Sequence, residues 1–393
     1  MATYAGAARQ ARRSRRTEEA ASLAARVDWL LMGAALGLVV FGLWAIAGIT
    51  RHDIPGDETY YVVRQAFFAG AGLVALVLLA LAGPAVLAAA SRVLYGLLLG
   101  LLVLVLVVGA AIRGSQRWID LGFFQFQPSE FGKVMLAAFL AAFIAERGRR
   151  IADVRTVATA IGLTAIPTAL VFVQPDFGTA LVYFAVLAGA LFVAGTRWLH
   201  LAVLTAFACL AVVGLLWLLP AAGFTVLKPY QYERITAFAD PQNAPPETTY
   251  NVDQSITAIG SGRFDGRGVE GATQTNLEFL PEHATDFVFA SLAEQRGFVG
   301  AGALLLLYLL LLWRGLRVVT IAGDAFSAIV AGAIVVSLLF SIFINVGMTM
   351  GIAPVTGIPL PFVSVGGSSM LANLAAVGVL LGIHARSSRR RAG

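Results

Sequence analysis

The sequence predicts an all-α polytopic membrane protein with about ten transmembrane helices, a large extracytoplasmic cap loop and a re-entrant outer segment. Three observations predict it. Apolar residues fill 59% of the 393 positions and charged residues only 13%, with a mean hydropathy of +0.82, which exceeds what a soluble domain buries. The arginines gather on alternate connections between apolar runs. Two stretches, about residues 220–285 and 351–369, have neither the composition of a span nor that of a plain linker.

A bilayer core takes about 20 apolar residues per helix. The matching segments run roughly 29–49, 60–82, 86–111, 131–147, 156–173, 177–195, 198–219, 286–313, 325–349 and 368–385. An even number places both tails on one side. The tails and the even-numbered connections hold 18 of the 28 basic residues and six of the 22 acidic ones, so that side reads as cytoplasmic. The chain then divides into a basic cytoplasmic tail (1–27), a ten-helix membrane domain (28–386) and a second basic cytoplasmic tail (387–393). The first tail, with Arg9, Arg12, Arg13, Arg15 and Arg16, reads as topogenic and attracted to membrane lipid, not as a signal peptide, and no nucleic-acid partner is expected. The single cysteine, Cys209, leaves neither a disulfide framework nor a thiolate metal site.

The outer face carries the chemistry. The 220–285 stretch is far longer than an ordinary connection, and its Tyr230, Tyr232, Ile235, Phe238, Phe264 and Leu277 predict an ordered cap packed on the bundle, with 241–250 locally mobile. Between spans three and four lie Arg117, Trp118, Asp120, Gln127, Glu130 and Lys133. Glu130 and Lys133, three apart at a helix start, share a face and can pair, which suits a structural ion pair as well as a site. Asp176, in QPDFGTA, falls where a helix N-terminus welcomes a carboxylate. Arg64 lies inside the second span, snorkelling to the interface or facing a cavity. The prolines and glycines of 351–369 forbid a helix. Such backbone persists at membrane depth only when buried in protein or lining a wet cavity, hence the re-entrant expectation.

RWIDLG (117–122), QPSEFGK (127–133), QPDFGTAL (174–181), LKPYQYERI (227–235), AIGSG (258–262), FLPEHATDF (279–287), NVGMTMG (345–351) and VTGIPLPFVSVGGSS (355–369) stand in one order on one topology. Through them the chain, from about residue 28 to 386, resembles the shape, elongation, division and sporulation (SEDS) family of RodA, FtsW and SpoVE. The wording TGIPLPF and the long GSG-to-LPE stretch look closer to RodA. Two departures stand out: His283 sits one position earlier than the family's histidine, with Ala284 in its slot, and Val365 replaces a tyrosine.

The resemblance implies a bacterial cytoplasmic-membrane glycosyltransferase that polymerises lipid II, the lipid-linked disaccharide of peptidoglycan, at the outer face. It serves cell elongation and rod shape and partners a class B penicillin-binding protein, a transpeptidase. It assigns Asp286 as the catalytic residue, acting either as a base for the acceptor hydroxyl or as ligand to a divalent cation (Mg or Mn) shared with substrate phosphate. A place at a helix N-terminus would keep that carboxylate ionised. Substrate-binding candidates are Arg64, Arg117, Trp118, Glu130, Lys133, Asp176, Lys228, Ser364 and Ser368; the cations among them suit the leaving pyrophosphate. The rivals are a lipid II flippase, an FtsW-like division paralogue with the same chemistry, and a scaffold. A charged constellation on the inner side would favour transport, and the sequence shows none.

Overall fold

In a bilayer every backbone N–H and C=O must find its partner within the protein, so the apolar runs fold as helices. The structure, a computed structural model, describes residues 27–112, 115–122, 124–214 and 245–392, together with Phe238 and Asp240. Helix α1 is Trp29–Ile49 and α2 is Tyr60–Val108. Strands β1 (Ala110–Ile112), β2 (Ser115–Asp120) and β3 (Gln125–Phe126) follow. Then come α3 (Pro128–Ala145), α4 (Val154–Val173), α5 (Phe177–Val193) and α6 (Trp198–Val213). Helix α7 (Pro246–Gly262) and the single turns α8 (Gly268–Gly271) and α9 (Thr273–Asn276) belong to the cap. The long helices α10 (Val288–Ile321), α11 (Ala325–Thr349) and α12 (Gly367–Ala392) close the bundle.

Among the described residues seven helices are long and apolar enough to cross a membrane, and α5 and the first part of α6 are shorter apolar helices. Helix α2 counts twice. Its 49 residues would extend about 73 Å, more than two bilayer cores. It breaks at Gly83, where φ is 74°, just before Pro84, and its two arms match the second and third expected spans. The break strands backbone carbonyls, and Arg386 of α12 donates to those of Ala80 (3.0 Å) and Leu81 (2.6 Å). Any side chain at Gly83 would collide with that guanidinium. The ten expected spans thus have ten counterparts, and the protein is a multi-pass membrane protein.

The core is the seam between helices: α12 packs along α2, α11 along α5, and α10 along α1. Leu31, Leu38, Leu98, Leu136, Tyr183 and Tyr308 are fully buried there.

Three sequence expectations change. The third span stops at Val108, and the following residues form a three-stranded antiparallel sheet, order β1-β2-β3. The strands are too short, and the hairpin too irregular, for a period-two signal to show. Residues 246–250, expected to be mobile, open α7 with Pro246 at its first turn, where a missing N–H costs nothing. The cap's anchoring residues also differ. Phe264 is 63% and Leu277 61% exposed, and Phe238 is exposed as well. The cap packs instead through Ala258 and Leu280 against Phe287 and Ala290. Tyr230, Tyr232, Ile235 and Lys228 lie outside the described residues.

Candidate active site

Asp286 lies in the turn leading into α10, ahead of the N-cap residue Phe287, so it is not itself a helix cap as expected. The turn is held by its backbone. The carbonyl of Ala284 accepts from the N–H of Val365 (2.9 Å), that of Thr285 from the hydroxyl of Ser364 (2.5 Å), and that of Asp286 from the side-chain amide of Asn345 (3.0 Å). Three consecutive carbonyls are thus tied to α11 and the loop after it. The Asp286 side chain is half-buried, and its Oδ2 lies 3.6 Å from where a side chain at Gly357 would begin.

That loop is the re-entrant segment, 351–366, and it runs through protein as expected. Leu360 and Val363 are fully buried and Phe362 nearly so. Its carbonyls are met by side chains from three helices: Asn345 donates to Ile358 (2.8 Å), Tyr308 to Pro361 (2.5 Å) and Gln65 to Ser364 (3.1 Å). Irregular backbone at membrane depth is thereby satisfied. Gln65 also accepts from Gly366 N–H (3.1 Å), so the residue beside Arg64 is the anchor, a role its neutral side chain did not announce.

Asp176 caps α5, as predicted, and does more. It accepts from Thr179 N (3.1 Å), Thr179 Oγ1 (2.9 Å), Gln127 Nε2 (3.0 Å) and Ser129 Oγ (3.4 Å). Arg117 of β2 stands 3.6 Å away, its guanidinium stacked on Trp118 at 4.3 Å. The little sheet therefore delivers Arg117 to the start of α5, and Arg117 keeps 23% of its side chain exposed while its Nε has no partner. The re-entrant segment bridges the two carboxylates. A side chain at Gly178 would meet Thr356 O at 2.6 Å, and the next residue, Gly357, faces Asp286.

Glu130 and Lys133 form the expected pair, with Nζ 2.8 Å from each carboxylate oxygen. Glu130 is 1% and Lys133 8% exposed, so the pair is sunk in the bundle beside a small cavity also lined by Ser337 and Asn373. This geometry is that of a buried ion pair. Ser364 and Ser368, read as substrate contacts, are spent on backbone: Ser364 Oγ also accepts from Leu360 N (2.8 Å), while Ser368 Oγ donates to Gln125 O (3.1 Å) and accepts from Gln127 N (2.9 Å). Arg64 is half-buried, with Tyr60 Oη 3.5 Å from its Nη1. His283, one position earlier than the family's histidine, reaches Asp53 in the loop after α1 (3.0 Å).

Sequence reasoning missed Asn345, Gln65 and Glu294. Glu294 is fully buried and accepts from Gln274 N, Thr275 N and Thr275 Oγ1 (2.8–3.0 Å), pinning α9 to α10. A carboxylate inside an apolar run was the available signal. The expectation of no charged constellation at the opposite end is also corrected. Asp28, 3% exposed, accepts from Arg314 at 2.6–3.1 Å, with His384 at 3.7 Å. These residues are 286 positions apart at the widest hydrogen bond, which hid them from local reading.

The sequence profile of the FtsW, RodA and SpoVE cell cycle proteins matches residues 25–389. Peptidoglycan glycosyltransferase MrdB of Escherichia coli (strain K12) is 37% identical over 349 residues, covering 88% of this chain and 92% of the relative. Stage V sporulation protein E of Bacillus subtilis is 37% identical over 362 residues, covering 91% and 96%. A probable peptidoglycan glycosyltransferase FtsW of Halorhodospira halophila is 40% identical over 374 residues, covering 92% and 90%. Among solved structures, a chain of a peptidoglycan synthase complex superposes with a TM-score of 0.78 at 33% identity, covering 92% of this chain and 98% of that one. The rod shape determining protein RodA of Thermus thermophilus gives 0.67 at 30% identity, covering 91% and 96%. With the match spanning the whole membrane region, the chain belongs to the FtsW, RodA and SpoVE family of cell cycle proteins.

Proposed function

We propose that this chain is a peptidoglycan glycosyltransferase that joins lipid II disaccharide units into glycan strands. The observation that carries the reading is the Thr285-Asp286 turn, whose backbone is fixed on three successive carbonyls while its carboxylate stands half-buried beside the re-entrant segment. A positioned carboxylate is what the chemistry needs. The acceptor 4-hydroxyl attacks the donor's anomeric carbon, the bond from that carbon to the pyrophosphate oxygen breaks, and the pyrophosphate leaves with the bonding electrons. Asp286 takes the hydroxyl proton as the new bond forms.

Arg117, exposed on one side and stacked on Trp118, is the cation best placed to meet the leaving pyrophosphate, with Arg64 and Lys228 as further candidates. Lys133, held by Glu130, acts from behind as a fixed charge. Asp176, Ser364 and Ser368 shape the walls. A divalent cation (Mg or Mn) fits this donor set. Among the described residues no three His, Cys, Asp or Glu converge, and one carboxylate plus substrate phosphate is how magnesium is commonly held. With Asp286 as its ligand in place of the base role, the cation would neutralise charge developing on the leaving group when bound.

The arginine distribution supports cytoplasmic tails, with the cap and Asp286 facing outward across a bacterial cytoplasmic membrane. The wording TGIPLPF supports a RodA-like role in elongation and rod shape; the alternative is FtsW-like division with the same chemistry. A class B penicillin-binding protein is the proposed partner, in keeping with the synthase complex among the structural relatives. The flippase reading would use the Asp28–Arg314 pair as its inner-side element, but Asp28 is saturated by Arg314 and by the N–H of Leu31 (3.1 Å), as a structural tie would be.

The test is a polymerisation assay. The purified chain and its Asp286→Ala variant are supplied with lipid II and a divalent cation, alone and with a class B penicillin-binding protein, and glycan products are resolved on a gel. Wild-type polymer and its loss in the variant, by at least about a hundredfold, is the expected result. Polymer persisting in the variant contradicts the assignment of Asp286, and no polymer from wild type under any condition moves the reading to lipid II transport.

A further inference from the structure

We infer that Asn345 is a positioning residue for Asp286, locking the catalytic turn and the re-entrant segment into one unit. Asn345 lies in the last two turns of α11 and is fully buried. Its side-chain nitrogen donates to two carbonyls at once: that of Asp286 (3.0 Å) and that of Ile358 (2.8 Å). Both partners are pure acceptors, so the amide orientation is dictated by the chemistry.

In the first turn of α10 the N–H groups of Ala290 and Ser291 both reach back to Phe287. Just ahead of that turn, Asn345 ties the backbone of Asp286 to α11. Ile358 follows Gly357, the residue facing the Asp286 carboxylate, so one amide fixes Asp286 from its backbone and the wall opposite its side chain together. The cost of this placement is visible on the same side chain: Asn345 Oδ1 is buried without a partner. An apolar residue there would avoid that penalty in a membrane-depth helix. Leucine offers the same branched heavy-atom shape with no donor, so the amide's hydrogens are what the position requires.

The inference rests on Asp286 acting in polymerisation. A displaced catalytic base costs rate in the chemical step more than it costs substrate affinity. The experiment measures polymerisation kinetics with lipid II, together with the thermal unfolding midpoint, for wild type, Asn345→Leu, Asn345→Ser and Asp286→Ala. The expected result is a kcat lowered at least about 30-fold in Asn345→Leu with KM within about threefold, and a partial recovery in Asn345→Ser, which keeps one donor. Wild-type kcat in Asn345→Leu overturns the inference, as does a raised KM at unchanged kcat. If the leucine variant does not fold, wild-type kcat in Asn345→Ser overturns it instead. Loss of polymer in Asp286→Ala alongside a fully active Asn345→Leu defeats this inference alone, whereas a fully active Asp286→Ala defeats the reading beneath it.

Discussion

Asp28 and Asp286 lie at opposite ends of the bundle, about 30 Å apart along the axis of α1, and the protein holds them by different parts. At Asp28 the side chain is consumed: both oxygens accept from Arg314, and one also caps α1. At Asp286 the hydrogen bonds from Asn345, Ser364 and Val365 fall on the backbone of the turn, and the carboxylate stands half-buried beside Gly357. The difference separates two uses of a buried-region carboxylate. Saturation by a guanidinium makes a tie between α1 and α10, while hydrogen bonds to three successive carbonyls set the place of the turn that carries Asp286.

Breaking the tie has the largest expected effect on stability. Arg314→Ala takes the guanidinium from buried Asp28 and leaves it only the N–H of Leu31 and, at 3.7 Å, His384, which costs about 3–5 kcal/mol. Thermal unfolding in detergent reads this as a large drop in midpoint, with the polymerisation rate per folded molecule unchanged. Ser364→Ala acts at the other end and more gently. It strips a donor from Thr285 O and an acceptor from Leu360 N–H, about 1–3 kcal/mol for the groups left unsatisfied, and lowers kcat because the turn beside Asp286 loosens. Gly357→Ala is smallest. Its φ of 71° costs an L-residue about 1–2 kcal/mol, and the new methyl touches the carboxylate at van der Waals distance. Polymerisation slows severalfold while the midpoint falls only slightly.

Legibility in the sequence followed the same division. The spans were readable because ten apolar runs obey one length rule, and even the Gly83–Pro84 break fell between two predicted segments. Glu130–Lys133 and the Asp176 cap were readable because both are local, three residues from carboxylate to partner. The short sheet carrying Arg117 was not, since β1, β2 and β3 have only three, six and two residues. Asn345 and Gln65 were passed over as neutral residues whose partners lie 59 and 299 positions away. Ser364 and Ser368 drew attention for their position in a motif, and their hydroxyls turned out to serve the backbone. Burial and pairing, which distinguish a tie from a site, are set by tertiary contacts that no periodicity records.

The central claim is that Asp286 does chemistry and Asp28 holds structure, and the direct test sets Asp286→Asn beside Arg314→Ala in one series. Glycan synthesis from lipid II and the unfolding midpoint are measured on the same preparations. The account predicts that Asp286→Asn loses polymer and keeps its midpoint, while Arg314→Ala loses midpoint and keeps its rate per folded molecule. Polymer at the wild-type rate from Asp286→Asn would contradict it.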